Sequence, residues 1–309
     1  MRGGRLRVGC LAAIGAVIVC WAYSPIGIRI GLRAYEPGQL ALIRFVIASA
    51  FLAAVALVAR ISLPKPRDIP LFMVLGFFAV TLHHLCLNAA QPYVTAGASS
   101  VLTQSTPIFS AMLGRFVLGE RVTRWRWACV GVGMVGAFVV VTAGGSAKTL
   151  NWHATLVLLA AISWSIYFTL QRHHARHYGA LEMTCYTVWS GTLFLSIYSP
   201  GLVDRAIHAP MGVNLAVGIL GVFPSALAYL WWAKVLERMD VSTAAPALYL
   251  VPPVSMIMAS VALNERTPAA VIVGAVIVIC SVLLVNLEYH RITLRTRFNV
   301  LGGNSVNGE

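Results

Sequence analysis

With 309 residues, 59% of them apolar and only 11% charged, the chain lacks the polar surface of a soluble domain, which averages about 45–50% apolar and about 25% charged. Intrinsic disorder and a disulfide scaffold are excluded on the same grounds. A net charge of +13 would suggest nucleic acid in a soluble protein, but its placement here gives it another meaning.

The predicted elements follow from the charge-free runs. Val8–Ile28 holds no charge, Pro37–Ala59 holds only Arg44, and Ile69–Gly114 holds none over 46 residues. Trp127–Ala147, Thr149–Gln171, Met183–Val203, Ala206–Ala233, Val241–Asn264 and Thr267–Leu287 are also uncharged. A helix needs roughly 20 apolar residues to cross a bilayer core. Ile69–Gly114 is long enough for two crossings, with Gln91-Pro92-Tyr93 as the turn between them. The count is ten spans, and the short alternating segments of a membrane barrel are absent. The first run follows Arg2, Arg5 and Arg7 as in a signal peptide, but it is too long and no small-residue cleavage site follows, so it reads as a retained span. All six cysteines fall inside spans without a Cys-x-x-Cys pair and read as packing residues.

Basic residues set the orientation. With the N-terminus inside, cytoplasmic segments hold 16 of the 23 Lys and Arg residues, outer segments hold five, and Arg44 and Arg115 lie within spans. This asymmetry satisfies the positive-inside rule and puts both termini in the cytoplasm. The positive charge then faces the inner leaflet of the cell (inner) membrane, and no nucleic acid is needed to explain it.

The chain repeats itself. An offset of 145 superposes Pro107 on Pro252, Ser110 on Ser255, Leu118 on Leu263, Glu120 on Glu265 and Arg121 on Arg266. It also pairs Cys129 with Gly274 and Gly136 with Ser281, while an offset of 143 pairs Trp21 with Trp164 and Arg29 with Arg172. Each half holds five spans, an odd number, so the second half enters the membrane from the opposite side. The expected fold is an all-α integral membrane protein of ten transmembrane helices in two inverted five-helix repeats. The expected boundaries are 8–143 and 149–288, with a cytoplasmic tail over 289–309.

Ala96-Gly97-Ala98-Ser99-Ser100, Pro107-Ile108-Phe109 and Leu118-Gly119-Glu120-Arg121 resemble the fourth span of EamA-type transporters of the drug/metabolite transporter superfamily. Phe223-Pro224-Ser225-Ala226-Leu227-Ala228-Tyr229 and Leu248-Tyr249-Leu250-Val251-Pro252 resemble the matching part of the second half. The resemblance covers nearly all of residues 8–288. It implies two EamA repeats around a central cavity and solute export without ATP hydrolysis. Asn264 stands where this family usually has glycine, a departure that bears on a turn.

The candidate solute site is Trp21, Arg44, His83, His84, Gln104, Trp164, Tyr167 and Tyr249. Trp21 and Trp164 lie roughly 18–20 Å into their spans, too deep for an interfacial belt, so they line a cavity or pack between helices. Arg44 either snorkels to headgroups or binds a carboxylate. His83 and His84 are intramembrane ionisable residues able to carry protons, or neutral imidazoles bonded to a neighbouring helix. They point about 100° apart, so one of the two is expected to face the cavity. Gln104 and Tyr249 occupy equivalent positions three residues before Pro107 and Pro252, and Tyr167 shares the face of Trp164. Trp231 and Trp232 read as a belt at a span end, and His173 with His177 as a solvated basic face. Glu120 and Glu265 read as acceptors for free N–H groups at the start of the next helix. Pro107, Pro224, Pro246 and Pro252 read as kinks or as sources of freed carbonyls.

The function expected is a secondary transporter of a small metabolite or drug-like solute, driven by an ion gradient, with protons and membrane lipids as its other partners. No cofactor and no metal are expected. An integral-membrane enzyme would need a constellation such as Gly-x-Ser-x-Gly or His-Glu-x-x-His, and neither occurs. A lipid-handling or scaffold protein is the remaining alternative.

Overall fold

The computed structural model describes residues 2–117, 119, 123–143, 152–174, 178–236, 245–281 and 283–284. Among them there is no β-strand. Helix α1 (Arg2–Gly31) and helix α2 (Pro37–Ala59) are spans 1 and 2. Span 3 is built of α3 (Ile69–Gly76), a π-helical turn (Phe77–Leu82) and α4 (His83–Ala90). Span 4 is α5 (Ala96–Thr103) and α6 (Thr106–Phe116), and span 5 is α7 (Arg124–Ala143). Span 6 is α8 (Trp152–His174), and span 7 is α9 (Ala180–Leu195), followed by the short α10 (Leu202–His208) outside the span. Span 8 repeats the pattern of span 3, with α11 (Met211–Val222), a π-helical turn (Phe223–Leu227) and α12 (Ala228–Leu236). Span 9 is a 3₁₀ turn (Ala245–Leu250) with α13 (Val251–Leu263), and span 10 is α14 (Ala269–Ser281).

Five of the helical segments are by themselves long and apolar enough to cross a bilayer: Gly9–Gly31, Pro37–Ala59, Pro66–Ala90, Trp152–Gln171 and Met211–Val235. The others are shorter or broken, and the breaks have causes. Pro107 and Pro252 do not kink continuous helices. Each lies in the first two positions of α6 or α13, where its missing N–H has no helical partner to lose. Span 4 thus restarts after Gln104-Ser105, and span 9 restarts after its 3₁₀ turn. Asn264 caps α13 at φ 53°, and Gly119, its repeat equivalent, has φ 67°. The left-handed turn is kept because asparagine tolerates that region better than other side chains.

The packing obeys a pseudo-twofold axis between the halves. Span 1 packs on spans 8 and 9, and span 6 packs on spans 3 and 4, the inverted equivalents. Spans 2 and 8 pair as do spans 7 and 3. On the axis itself, Ser49 and Thr192 share a hydrogen bond of 2.9 Å, and these positions are 143 residues apart. The Ser281 hydroxyl donates to the Cys129 carbonyl. The symmetry-related approach is that of Gly274 to the Gly136 carbonyl, where a Cβ would stand 2.9 Å from the oxygen. Large apolar side chains such as Leu11, Val58, Phe138, Leu193 and Val261 are exposed on the outside of the bundle, as a lipid-facing surface requires.

Polar contacts tie the two ends. At one end of the bundle Glu36 pairs with Arg205, Tyr35 with Asn214, and Gln39 Nε2 donates to the Pro200 carbonyl at 2.9 Å. At the opposite end Ser62 donates to Glu182 at 3.1 Å, and Tyr178 donates to Asp68 at 2.7 Å. The bond to Asp68 pushes the Tyr178 phenol up from its usual range.

Glu265, in the turn before α14, accepts from the backbone N–H of Ala96 at 3.0 Å and pairs with Arg29. It therefore caps α5 of the first half rather than the next helix in its own half, which corrects the expectation. Thr95 completes the cap by accepting from Ala98 N at 3.2 Å. Glu120 lies outside the described residues. Glu265→Gln keeps the acceptor for Ala96 but loses the half-buried ion pair. We expect a loss of about 2 kcal/mol, read as a lower thermal midpoint in detergent. Glu36→Gln, whose partner pair is exposed, should move the midpoint little.

Candidate functional site

A continuous run of rings crosses the middle of the bundle. Trp21 on α1 meets Tyr229 on α12 edge-on, with centroids 6.2 Å apart. Tyr229 meets Trp164 on α8, also edge-on, at 5.6 Å. Trp164 lies 4.8 Å from His83, which lies 4.6 Å from His84. His84 then packs on Phe45 at 4.6 Å, and the Arg44 guanidinium stands 5.2 Å from the same ring. Tyr167 packs on Trp164 at 5.3 Å, as their spacing predicts. Six of the eight expected residues thus come together: Trp21, Arg44, His83, His84, Trp164 and Tyr167.

Gln104 and Tyr249 lie in spans 4 and 9, which pack together. Gln104 Nε2 donates to the Leu248 carbonyl at 2.8 Å, which ties the break in span 4 to the 3₁₀ turn of span 9. Tyr249 is buried in the large apolar cluster of that region. The equivalence of the two positions is met where spans 4 and 9 pack together.

Arg44 does not snorkel. It is 1% exposed, and its Nε and Nη2 donate to Ser225 Oγ at 3.0 and 2.8 Å. Ser225 sits in the π-helical turn of span 8 and donates to the Leu220 carbonyl at 2.9 Å. Such turns leave carbonyls without their usual helical partners. In span 3 the matching turn offers the Phe78 carbonyl, which accepts from Ser163 on α8 at 2.6 Å. The two imidazoles face different neighbours. His83 is half-buried and shares a 2.9 Å hydrogen bond between Nδ1 and the Ala160 carbonyl. His84 is buried, and neither of its nitrogens has a partner.

Sequence reasoning missed Tyr229, Phe45 and Ser225. The offset of 145 carries His84 onto Tyr229, a signal that could have found the tyrosine. Trp232 is not a belt residue: it is buried and packs on Trp21 at 6.0 Å. The side chains of His173 and His177 lie outside the described residues. The assembled surface is aromatic and apolar, with one cation and few donors, a composition suited to small, partly apolar solutes. Half-buried Trp21, Trp164, Tyr229 and His83 supply its accessible faces.

Known proteins are similar to this chain over most of its length. A Streptantibioticus cattleyicolor protein named "Probable terminal-alkyne amino-acid exporter" is 34% identical over 274 residues, covering 89% of this chain and 92% of that one. An Escherichia coli protein named "Probable amino-acid metabolite efflux pump" is 26% identical over 288 residues, covering 87% and 91%. A solved crystal structure shares the fold with a TM-score of 0.64 at 19% identity, over 91% of this chain and 99% of that one. The model of the EamA-like transporter family matches residues 7–142 and again 151–287. With two matches along its length and ten helical spans in inverted halves, this chain is a multi-pass membrane protein that belongs to the EamA-like transporter family.

Proposed function

We propose that the protein exports small amino-acid-like metabolites across the cell membrane by alternating access, with both termini in the cytoplasm and the solute held at the Trp21–Tyr229–Trp164 cluster. The carrying observation is the cluster's composition: repeat-equivalent Trp21 and Trp164, one from each half, both contact Tyr229. A solute lodged among these rings touches both halves, so it can favour one relative arrangement over another. The names of the relatives support the solute class and the direction. Gln104 and Tyr249 belong to the path along spans 4 and 9. Coupling is to the proton gradient, with His83 and His84 as the imidazoles beside the site.

The test is uptake into inverted vesicles across an amino-acid and metabolite panel. Accumulation should be saturable and should fall when the pH gradient is collapsed. Uptake that is unaffected by the collapse removes proton coupling, and the absence of uptake of any member removes the solute class. Orientation has its own test. A reporter inserted in the 144–149 loop should be labelled from outside only, and labelling from the cytoplasm would reverse the topology.

A further inference from the structure

Arg44 carries a charge that no described residue neutralises. Its side chain is wholly enclosed. Two of its nitrogens share the neutral Ser225 hydroxyl, and its third, Nη1, has no partner. Among the described residues no carboxylate lies within ion-pair distance. Of the ten acidic residues of the chain, the described Glu36, Asp68, Glu182, Asp204 and Glu265 lie in loops, in short helices or at helix starts, and Glu120, Glu237, Asp240, Glu288 and Glu309 fall outside the uncharged runs of the sequence. Beside the guanidinium, buried His84 also has two nitrogens without partners. A neutral imidazole always has one N–H to donate. An enclosed cation without an anion is costly, and its own Nη1 and the N–H of His84, which packs on the same Phe45 ring, are donors without acceptors.

We propose that these donors form a carboxylate subsite, and that the transported solutes are monoanions: small carboxylates with an apolar or aromatic body and no free ammonium. This rests on the central-site reading above and deepens it. The carboxylate would take Arg44 Nη1 and the His84 N–H, while the body lies along Trp164, Tyr229 and Trp21. The absence of any intramembrane acid removes the usual partner for an ammonium group, so an N-acylated amino acid fits better than the free zwitterion. Arg44 belongs to the first half and Ser225 to the second. A carboxylate that draws the guanidinium from Ser225 exchanges a neutral acceptor for a charged one and releases a bond between the halves. Binding and the relative movement of the halves are thereby linked.

The experiment measures binding to the full-length protein in detergent by ligand-induced thermal shift, with N-acetylphenylalanine, phenylalanine and phenylalaninamide as probes and sodium chloride as the simple-anion arm. N-acetylphenylalanine should bind at least tenfold more tightly than either of the others, and chloride should not compete. Arg44→Gln should abolish the preference. Ser225→Ala, which frees the guanidinium, should tighten N-acetylphenylalanine binding and keeps the test usable if Arg44→Gln does not fold. Equal affinity for N-acetylphenylalanine and phenylalaninamide overturns the proposal. So does tighter binding of phenylalanine, which would place its ammonium on the rings, and so does displacement by chloride. If the probes bind without charge preference and Trp164→Ala abolishes that binding, the carboxylate subsite fails and the central site stands. If wild type binds none of them, both fail.

Discussion

Gly76→Leu and Gly191→Leu should each prevent the protein from reaching its folded state in quantity. Spans 3 and 7 meet backbone to backbone at these residues. A Cβ on Gly76 would stand 2.5 Å from Gly191 N and 2.8 Å from the Thr187 carbonyl oxygen. One on Gly191 would stand 2.3 Å from Val80 Cβ and 2.7 Å from the Gly76 carbonyl oxygen. Main chain cannot step aside as the tip of a side chain can, so the spans must separate. That would also strain the Thr81 hydroxyl's 3.1 Å bond to the Gly191 carbonyl. The loss should exceed about 3 kcal/mol, at or above the upper range of overpacked sites. Gly221 is the repeat equivalent of Gly76, and a Cβ there would lie 2.9 Å from the Arg44 carbonyl oxygen. Gly221→Leu should therefore fail in the same way. The control is Gly131→Leu, where a Cβ would meet nothing within 4 Å. Size-exclusion chromatography should recover monodisperse protein from Gly131→Leu alone. Equal recovery from all four variants would mean that these approaches do not hold the halves together.

Trp164→Ala should remove most of the solute affinity. Its indole touches His83, Tyr167, Phe168 and Tyr229, more rings than any other residue in the cluster. Central aromatic anchors of a binding site cost roughly 2 kcal/mol or more on truncation, which corresponds to about 30-fold in affinity. Trp21→Ala should follow, because it removes the equivalent wall from the other half. Trp152, exposed at the start of α8, supplies the control, and Trp152→Ala should leave affinity within about twofold of wild type, as expected for a residue remote from the site. Binding should be measured alongside folded yield. Equal affinity in Trp164→Ala, Trp152→Ala and wild type would remove the deep tryptophans from the site.

The spans were legible because hydrocarbon forbids charge: the runs from Val8–Ile28 to Thr267–Leu287 mark them without reference to any partner. The inverted repeat was legible from Pro107 and Pro252, Glu120 and Glu265, and Trp21 and Trp164. What stayed hidden depends on helix rotation, which hydropathy does not encode when both lipid and neighbouring helices are apolar. Trp232 therefore looked like the end of a span when it packs on Trp21, and Tyr229 was not singled out although it meets the same indole. Phe45 was not singled out, and it packs tilted against His84. The π-helical turns at Phe77–Leu82 and Phe223–Leu227 insert extra backbone that no residue pattern in span 3 announces. Glu265 was read correctly as a cap, but its partner was assigned by sequence proximity, and the fold brings Ala96 nearer.

The central claim is that a single cluster between the halves opens to each side in turn. Its most direct test is thiol accessibility of Tyr229→Cys in a variant whose six native cysteines are replaced, probed with a membrane-impermeant maleimide. Tyr229 lies between the two tryptophans, so a reagent reaching it has reached the site. Labelling should occur in right-side-out vesicles and again in inverted ones, and a bound solute should slow both. Labelling from one face alone, with or without solute, would contradict alternating access through this cluster.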